Sequence, residues 1–327
     1  MREKEFIDFL RERKNEEKSI QSSIQYLREF EQYLSGESKE LESIGVDDVK
    51  VYVSKLINEG KNTSDRLSAI AKYVYIAGPK DVYVYFTSIT GGRTVLPSIT
   101  ERLASIAGDE TRNRVFKGVE APPLGSPPEE FPRVTKLLID RLQELGPTIC
   151  HNVLAGNHHR IPVESFNKHK QWLREAGGID AFLRKVHEEA VTELEHYMAK
   201  GRLWYEQEIT MEVIEFVKGN QEVLSAIRDG DYLYITKIPY SPKNWLKETD
   251  PVMKRYHACH CPLARAAITT GEPEIPLDWC YCSGGYEKLM FDLAFEEETE
   301  IEVLESALAG DYRCRFRVKI PEGKLHI

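Results

Sequence analysis

The stretch GVEAPPLGSPPEEFPR, residues 118–133, places five prolines and two glycines in sixteen positions. Proline fixes φ and has no amide hydrogen to donate, so neither a helix nor an interior strand can run through it. A chain of 327 residues is long enough for two domains of ordinary size, and here it divides. The expected organisation is a helical domain over 1–115, a proline-rich linker over 116–132 and a second domain over 133–327.

The first part reads as successive helices. Phe6, Phe9 and Leu10 repeat at helical spacing, as do Ile20, Ile24, Leu27, Phe30 and Leu34. SGES at 35–38 stops the second run. VDDVKVYVSKLINEGK sets Val49, Val53 and Leu56 on one face and ends near Gly60. The next run opens at Thr63 or Ser64 as cap and closes at Gly78. Helices also begin the second part, but alternation appears late, in DYLYITKIPY, TEIEVLESAL and YRCRFRVKI. Tyr232, Tyr234 and Thr236 oppose Leu233, Ile235 and Lys237, a period of two that marks a strand. AGD between the last two strands reads as a hairpin turn. The fold class is α+β: an all-α bundle, then an α+β domain closed by an antiparallel sheet.

Four of the six cysteines fall within 24 residues, as Cys259-x-Cys261 and Cys280-x-Cys282. Two thiolates at i and i+2 of an extended or turn segment can face one metal, and a second pair completes a tetrahedral sulfur shell. His257 and His260 interleave with the first pair, and turn-formers follow both. Sulfur-rich shells favour Zn2+ or an iron–sulfur cluster. Buried free thiols and a redox-active pair are the competing readings. The N-terminus lacks a secretory signal's apolar core, which points to the cytoplasm, where thiols stay reduced.

CHNVLAGNHHR holds Cys150, Asn152, His158 and His159 on what reads as a loop. A thiol beside a histidine can serve as a nucleophile. In LWYEQEI, a Glu206 desolvated by Trp204 or Tyr205 would act as acid or base, although a solvated helix face also explains it. Lys237 and Tyr240 in YITKIPY could meet a substrate carboxylate, and an edge-strand lysine explains Lys237 equally well. The chain contains no phosphate-binding loop, no dinucleotide fingerprint and no serine nucleophile elbow. Its net charge of −9 argues against nucleic acid as a partner, and no apolar run is long enough to span a membrane.

Two resemblances add to this reading. Residues 22–78 resemble the SAM-like core-binding helical domain of phage integrases and tyrosine recombinases, which helps clamp DNA. Residues 1–110 hold 16 Lys+Arg against 19 Asp+Glu, so packing or homodimerisation is the expected use here. VLESALAGDYRCRFRV resembles the closing hairpin of 4-vinyl reductase domains and of L-2-amino-thiazoline-4-carboxylic acid hydrolase-like proteins, through Glu305, Gly310, Asp311, Cys314 and Phe316. That resemblance implies a zinc ligand at Cys314 beside a small-molecule pocket. The first hairpin cysteine of the pattern is replaced here by Ser306-Ala307. The segments CHN, WYEQEI, TKIPY, CHCP and CYCSGGYEK look like those of an uncharacterised bacterial and archaeal family related to the hydrolase-like group.

These features lead to one expectation with two alternatives. The expectation is a metal-dependent enzyme of hydrolase or lyase type acting on a small sulfur- or nitrogen-containing compound. Its catalytic residues would be Cys150, His158, His159 and Glu206, its substrate ligands Asn152, Lys237 and Tyr240, and its metal ligands Cys259, Cys261, Cys280 and Cys282. The alternatives are a small-molecule sensor with a structural zinc and a thiol-redox protein.

Overall fold

The computed structural model describes residues 2–325 and separates them into two compact units. Met1 and residues 326–327, at the ends of the two expected domains, lie outside the described residues. The first unit runs to Arg93 and takes in Pro122–Glu130; the second comprises Thr94–Ala121 and everything from Phe131 onward. The expected division is therefore corrected at two points. The helix Val95–Phe116 belongs to the second unit, where Val95, Ile99 and Leu103 pack with Leu138, Ile139 and Leu142. Part of the expected linker is a built element of the first unit. Gly125, at φ +94°, lies where a Cβ would strike Val53 and Leu67, and the Asn62 side chain donates to the Leu124 carbonyl at 2.8 Å.

The first unit is helical throughout: Glu3–Glu12, Glu17–Gly36, Val46–Asn58, Ser64–Ala77 and Lys80–Thr90. The punctuation is what the sequence implies. The second helix ends at Gly36, Thr63 accepts from the Arg66 amide as N-cap, and Asp48 accepts from the Gly45 amide. The periodic residues Phe6, Leu10, Ile20, Leu27 and Phe30 are buried together with Tyr73 and Phe86.

The second unit is α+β. Among the described residues its strands are β1 (Ile227–Asp229), β2 (Tyr232–Thr236), β3 (Ile301–Glu305) and β4 (Arg315–Lys319). They form one antiparallel sheet in the order β1-β2-β4-β3. Register sets Leu233 against Val318, Ile235 against Phe316 and Ile301 against Val318. This face packs on Phe182, Phe291 and Phe295 from the helices Ile179–Ala199 and Tyr281–Phe295. The other face carries Tyr232, Tyr234, Arg315 and Arg317, and Arg315 pairs with Glu222 at 2.7 Å. AGD is not a tight hairpin turn. It lies inside a longer loop, residues 306–314, tied by the Ser306 amide donating to Asp311 at 2.8 Å. β1 is three residues long and gives no alternation to read. Among the described residues no helix is long and apolar enough to cross a membrane.

Candidate functional site

The site begins at a strained turn. Trp204 and Gln207 exchange backbone hydrogen bonds at 2.9 Å, and Tyr205 between them has φ +52°, left-handed backbone uncommon for a bulky residue. Glu206 therefore stands on a tight turn, not on a helix face. Gln207, buried, holds the turn by donating to the Pro239 carbonyl at 3.1 Å, just past the end of β2. That places Glu206 within the electrostatic reach of Arg265 and Lys237. Crowding by protein atoms nonetheless dominates and raises the Glu206 pKa above the usual carboxylate range.

Lys237 follows β2, an interior strand, so the edge-strand explanation does not apply. Its amide donates to the Cys314 carbonyl at 2.9 Å, and its ammonium pairs with Glu287 at 2.7 Å, 4.3 Å from the centre of the Tyr286 ring. Burial works against that charge, but Glu287 and Tyr286 more than offset it, so Lys237 stays protonated. Glu287 and Tyr286 sit in the helix Tyr281–Phe295, and Gly285 lets its backbone approach closely: a Cβ there would lie 2.5 Å from the Gly156 carbonyl oxygen. The same approach sets His159 edge-on to Tyr286, ring centres 5.9 Å apart. Burial drives His159 down to about 4, with Lys237 adding to the effect, and His260 well below its usual value. Both are neutral near pH 7. His260 has its Nε2 2.6 Å from the Ile238 carbonyl and packs edge-on against Tyr240.

Tyr240 faces a residue that sequence reasoning passed over. Arg265 is 6% exposed, its guanidinium 3.9 Å from the Tyr240 ring centre and 4.7 Å from that of Tyr256. The signal was available: in CPLARAAI it is the one charged residue of an apolar run. Tyr205 and Tyr286, 63% and 41% exposed, lie at the outer side of this cluster, with Arg265 and Lys237 inside.

Other expected site residues lie elsewhere. Cys150 is in the helix Pro147–Leu154, not a loop, and is buried in an apolar core. Burial first and the Asp278 carboxylate second push its thiol up to about 12, away from the thiolate that a nucleophile needs. Asn152, on the same helix, is exposed, and its main-chain carbonyl accepts from the Arg102 Nε at 2.7 Å. His158 is buried, Nε2 2.8 Å from the Val153 carbonyl and Nδ1 3.0 Å from the Ser98 hydroxyl; both ring nitrogens are engaged in structure.

The cysteines do gather. Cys259 follows the helix Pro251–Ala258, Cys261 lies two residues on, Cys280 and Cys282 sit at the start of the helix Tyr281–Phe295, and Cys314 precedes β4. They lie close enough that the charge on one thiol would raise the next: Cys259 and Cys314 act on Cys280, and Cys261 acts on Cys282. Burial is the larger cause at every one, and all are raised. As arranged they do not fit a four-sulfur shell. Cys280 closes the 3-10 helix Leu277–Cys280 and Cys282 lies in the helix that follows, so neither stands on the extended or turn segment that the spacing implied, although Cys261 reaches both. Cys280 Sγ lies 2.8 Å from the Ser306 hydroxyl, while Cys261 Sγ accepts from the Trp279 indole at 3.3 Å. Of the two candidate histidines, His257 lies 3.7 Å from Glu248 and His260 is held by Ile238. Among the described residues no three Cys, His, Asp or Glu side chains form a group able to hold a metal.

The second unit is thus an α+β body with a polar cluster of Glu206, Lys237 and Arg265 backed by buried thiols. A family model described as "Family of unknown function (DUF6144)" matches residues 216–325, which hold all four strands, Lys237, Arg265 and five of the cysteines. No curated protein and no solved structure matches the chain.

Proposed function

We propose that the second unit binds a small molecule at the Glu206–Lys237–Arg265 cluster and hydrolyses it by general acid–base chemistry. The carrying observation is Glu206, a carboxyl with a raised pKa on a tight turn, within the electrostatic reach of Arg265 and Lys237. In the reaction, the Glu206 carboxylate takes a proton from water while the water oxygen bonds to an electrophilic carbon. The carbon–nitrogen or carbon–sulfur bond then breaks, and the same proton passes to the leaving atom. Lys237, its charge kept by Glu287, stabilises the negative charge that develops meanwhile. No step uses Cys150 or a metal.

The test is turnover on a panel of small cyclic amides, amidines and thiazolines, followed by loss of the starting compound. Glu206→Gln is expected to lower turnover about 10²–10⁴-fold, the usual contribution of a positioned acid–base group. Equal activity in the variant, or no turnover of any compound, would remove the enzymatic reading. Binding without turnover would favour a small-molecule sensor, which needs the cations but no proton carrier.

Zinc or an iron–sulfur cluster at the thiols is a separate proposal with a direct check, elemental analysis joined to an absorbance spectrum. With the thiols as they stand, the protein should keep its melting temperature in a chelator. About one equivalent of metal, lost in Cys259→Ser together with the fold, would mean that the thiols rearrange to bind it. All six cysteines are free, in keeping with a reducing compartment such as the cytoplasm. The helical first unit is read as a packing or homodimerisation module.

A further inference from the structure

Arg265 poses a problem that the rest of the fold leaves open. A buried guanidinium is ordinarily paired, because an uncompensated buried charge is costly. Among the described residues no carboxylate lies within ion-pair distance of Arg265, and its Nη1 is buried without a hydrogen-bond partner. Burial disfavours its charge most, and the groups that favour it are Tyr240, Tyr256 and Cys259, none of them a carboxylate. Two aromatic faces offset part of the burial cost, but they leave Nη1 empty-handed. This atom is poised to donate.

We infer that Arg265 is the binding site for a singly charged anion of carboxylate type, carried by the small molecule that the cluster binds. The lone unpaired donor selects a small, singly charged group. Lys237 is held by Glu287 at 2.7 Å, which leaves Arg265 as the cation of the cluster with no carboxylate in ion-pair contact among the described residues. A dianion such as phosphate would bring surplus negative charge beside a carboxyl already crowded by burial. A planar carboxylate suits the guanidinium, whose nitrogen donors lie in one plane between the tyrosines. The inference rests on the proposed small-molecule site and names the chemistry that site recognises.

The test uses the full chain with benzoate and acetate as probes, benzamide as the uncharged counterpart of benzoate, and inorganic phosphate as the dianion. Calorimetry should show benzoate binding at least tenfold more tightly than benzamide, with phosphate no better than benzamide. Arg265→Met should abolish that preference, and Arg265→Lys should keep part of it. The variant should not melt below the ligand-free parent, since it removes an unpaired buried charge and keeps an apolar stem; that result separates a binding role from a structural one. Benzoate binding that is unchanged in Arg265→Met would overturn the inference, as would absence of any preference for benzoate in the parent. Benzamide binding equal to benzoate would sink the anion site while leaving the small-molecule site standing. Loss of benzoate binding in Arg265→Met alongside undiminished turnover in Glu206→Gln would do the reverse, keeping the anion site and removing the catalytic reading.

Discussion

Gly285→Ala is expected to destabilise the second unit by about 3 kcal/mol or more, at the upper end of what overpacking costs. The added methyl would meet the Gly156 carbonyl oxygen at 2.5 Å and the Ala155 carbonyl carbon at 2.6 Å. Both are backbone atoms, so no side chain can rotate aside, and the helix Tyr281–Phe295 must move as a body. Gly284 is the internal control. A Cβ there meets the Ile301 side chain at 3.2 Å and Phe316 at 3.5 Å, contacts that flexible atoms can relieve. Urea denaturation of the two variants should give a clearly larger loss for Gly285→Ala. Equal losses would mean that the close approach does not hold the helix. The consequence reaches the site, because Tyr286 and Glu287 are the next residues along this helix. The variant should therefore weaken small-molecule binding even where it remains folded.

That glycine also shows what the sequence could and could not convey. GlyGly in CYCSGGYEK reads naturally as a turn after a cysteine knuckle, because glycine is common there. In the fold it is helical, and the missing side chain serves close packing. The same reading set Cys280 and Cys282 on an extended or turn segment, where the fold has a 3-10 helix running into an α-helix. CHNVLAG likewise holds polar residues and a glycine, yet Cys150 lies in a short helix that Pro147 opens and an apolar core surrounds. Local composition cannot distinguish a helix placed between layers from a loop. The periodic segments were a different matter. Ile20, Ile24, Leu27 and Phe30 are buried as their spacing requires, and Leu233 and Ile235 face the core as alternation requires. Glu206 and Lys237 could be picked out as charged residues among aromatics. Their meeting depends on Gln207 reaching Pro239, a contact between segments about 30 residues apart that no local pattern encodes. Arg265 stood in plain view as a lone charge in an apolar run.

Acidification should unfold the second unit through its histidines before its ion-paired carboxylates are protonated. Burial pushes His158, His159 and His169 from the usual 6.5 down to about 4, with a hydrogen bond to the Val153 carbonyl opposing that push at His158. In the unfolded chain each takes up a proton near pH 6.5; in the folded protein none does until about pH 4. Between those values the unfolded state holds more protons, so stability is complete above pH 6.5 and is lost as the pH falls toward 4. A shift of about 2.5 pH units at the fully buried His158 corresponds to roughly 3 kcal/mol. His159, only partly buried, should add less. His169, buried with its Nδ1 unpartnered, should add a comparable amount. The ion-paired carboxylates act in a lower window. Burial would raise Glu222, but Arg315 and Thr236 more than offset it and hold it below the usual carboxylate range, so its contribution is lost only at more acidic pH. Urea midpoints measured from pH 7.5 to pH 4 should fall steeply through this range. His158→Gln should be less stable at pH 7, where it loses the contact with Ser98, and should show a flatter decline. A parent protein whose midpoint holds constant down to pH 4.5, or a His158 resonance titrating near 6.5, would show that this ring does not stay neutral in the folded core.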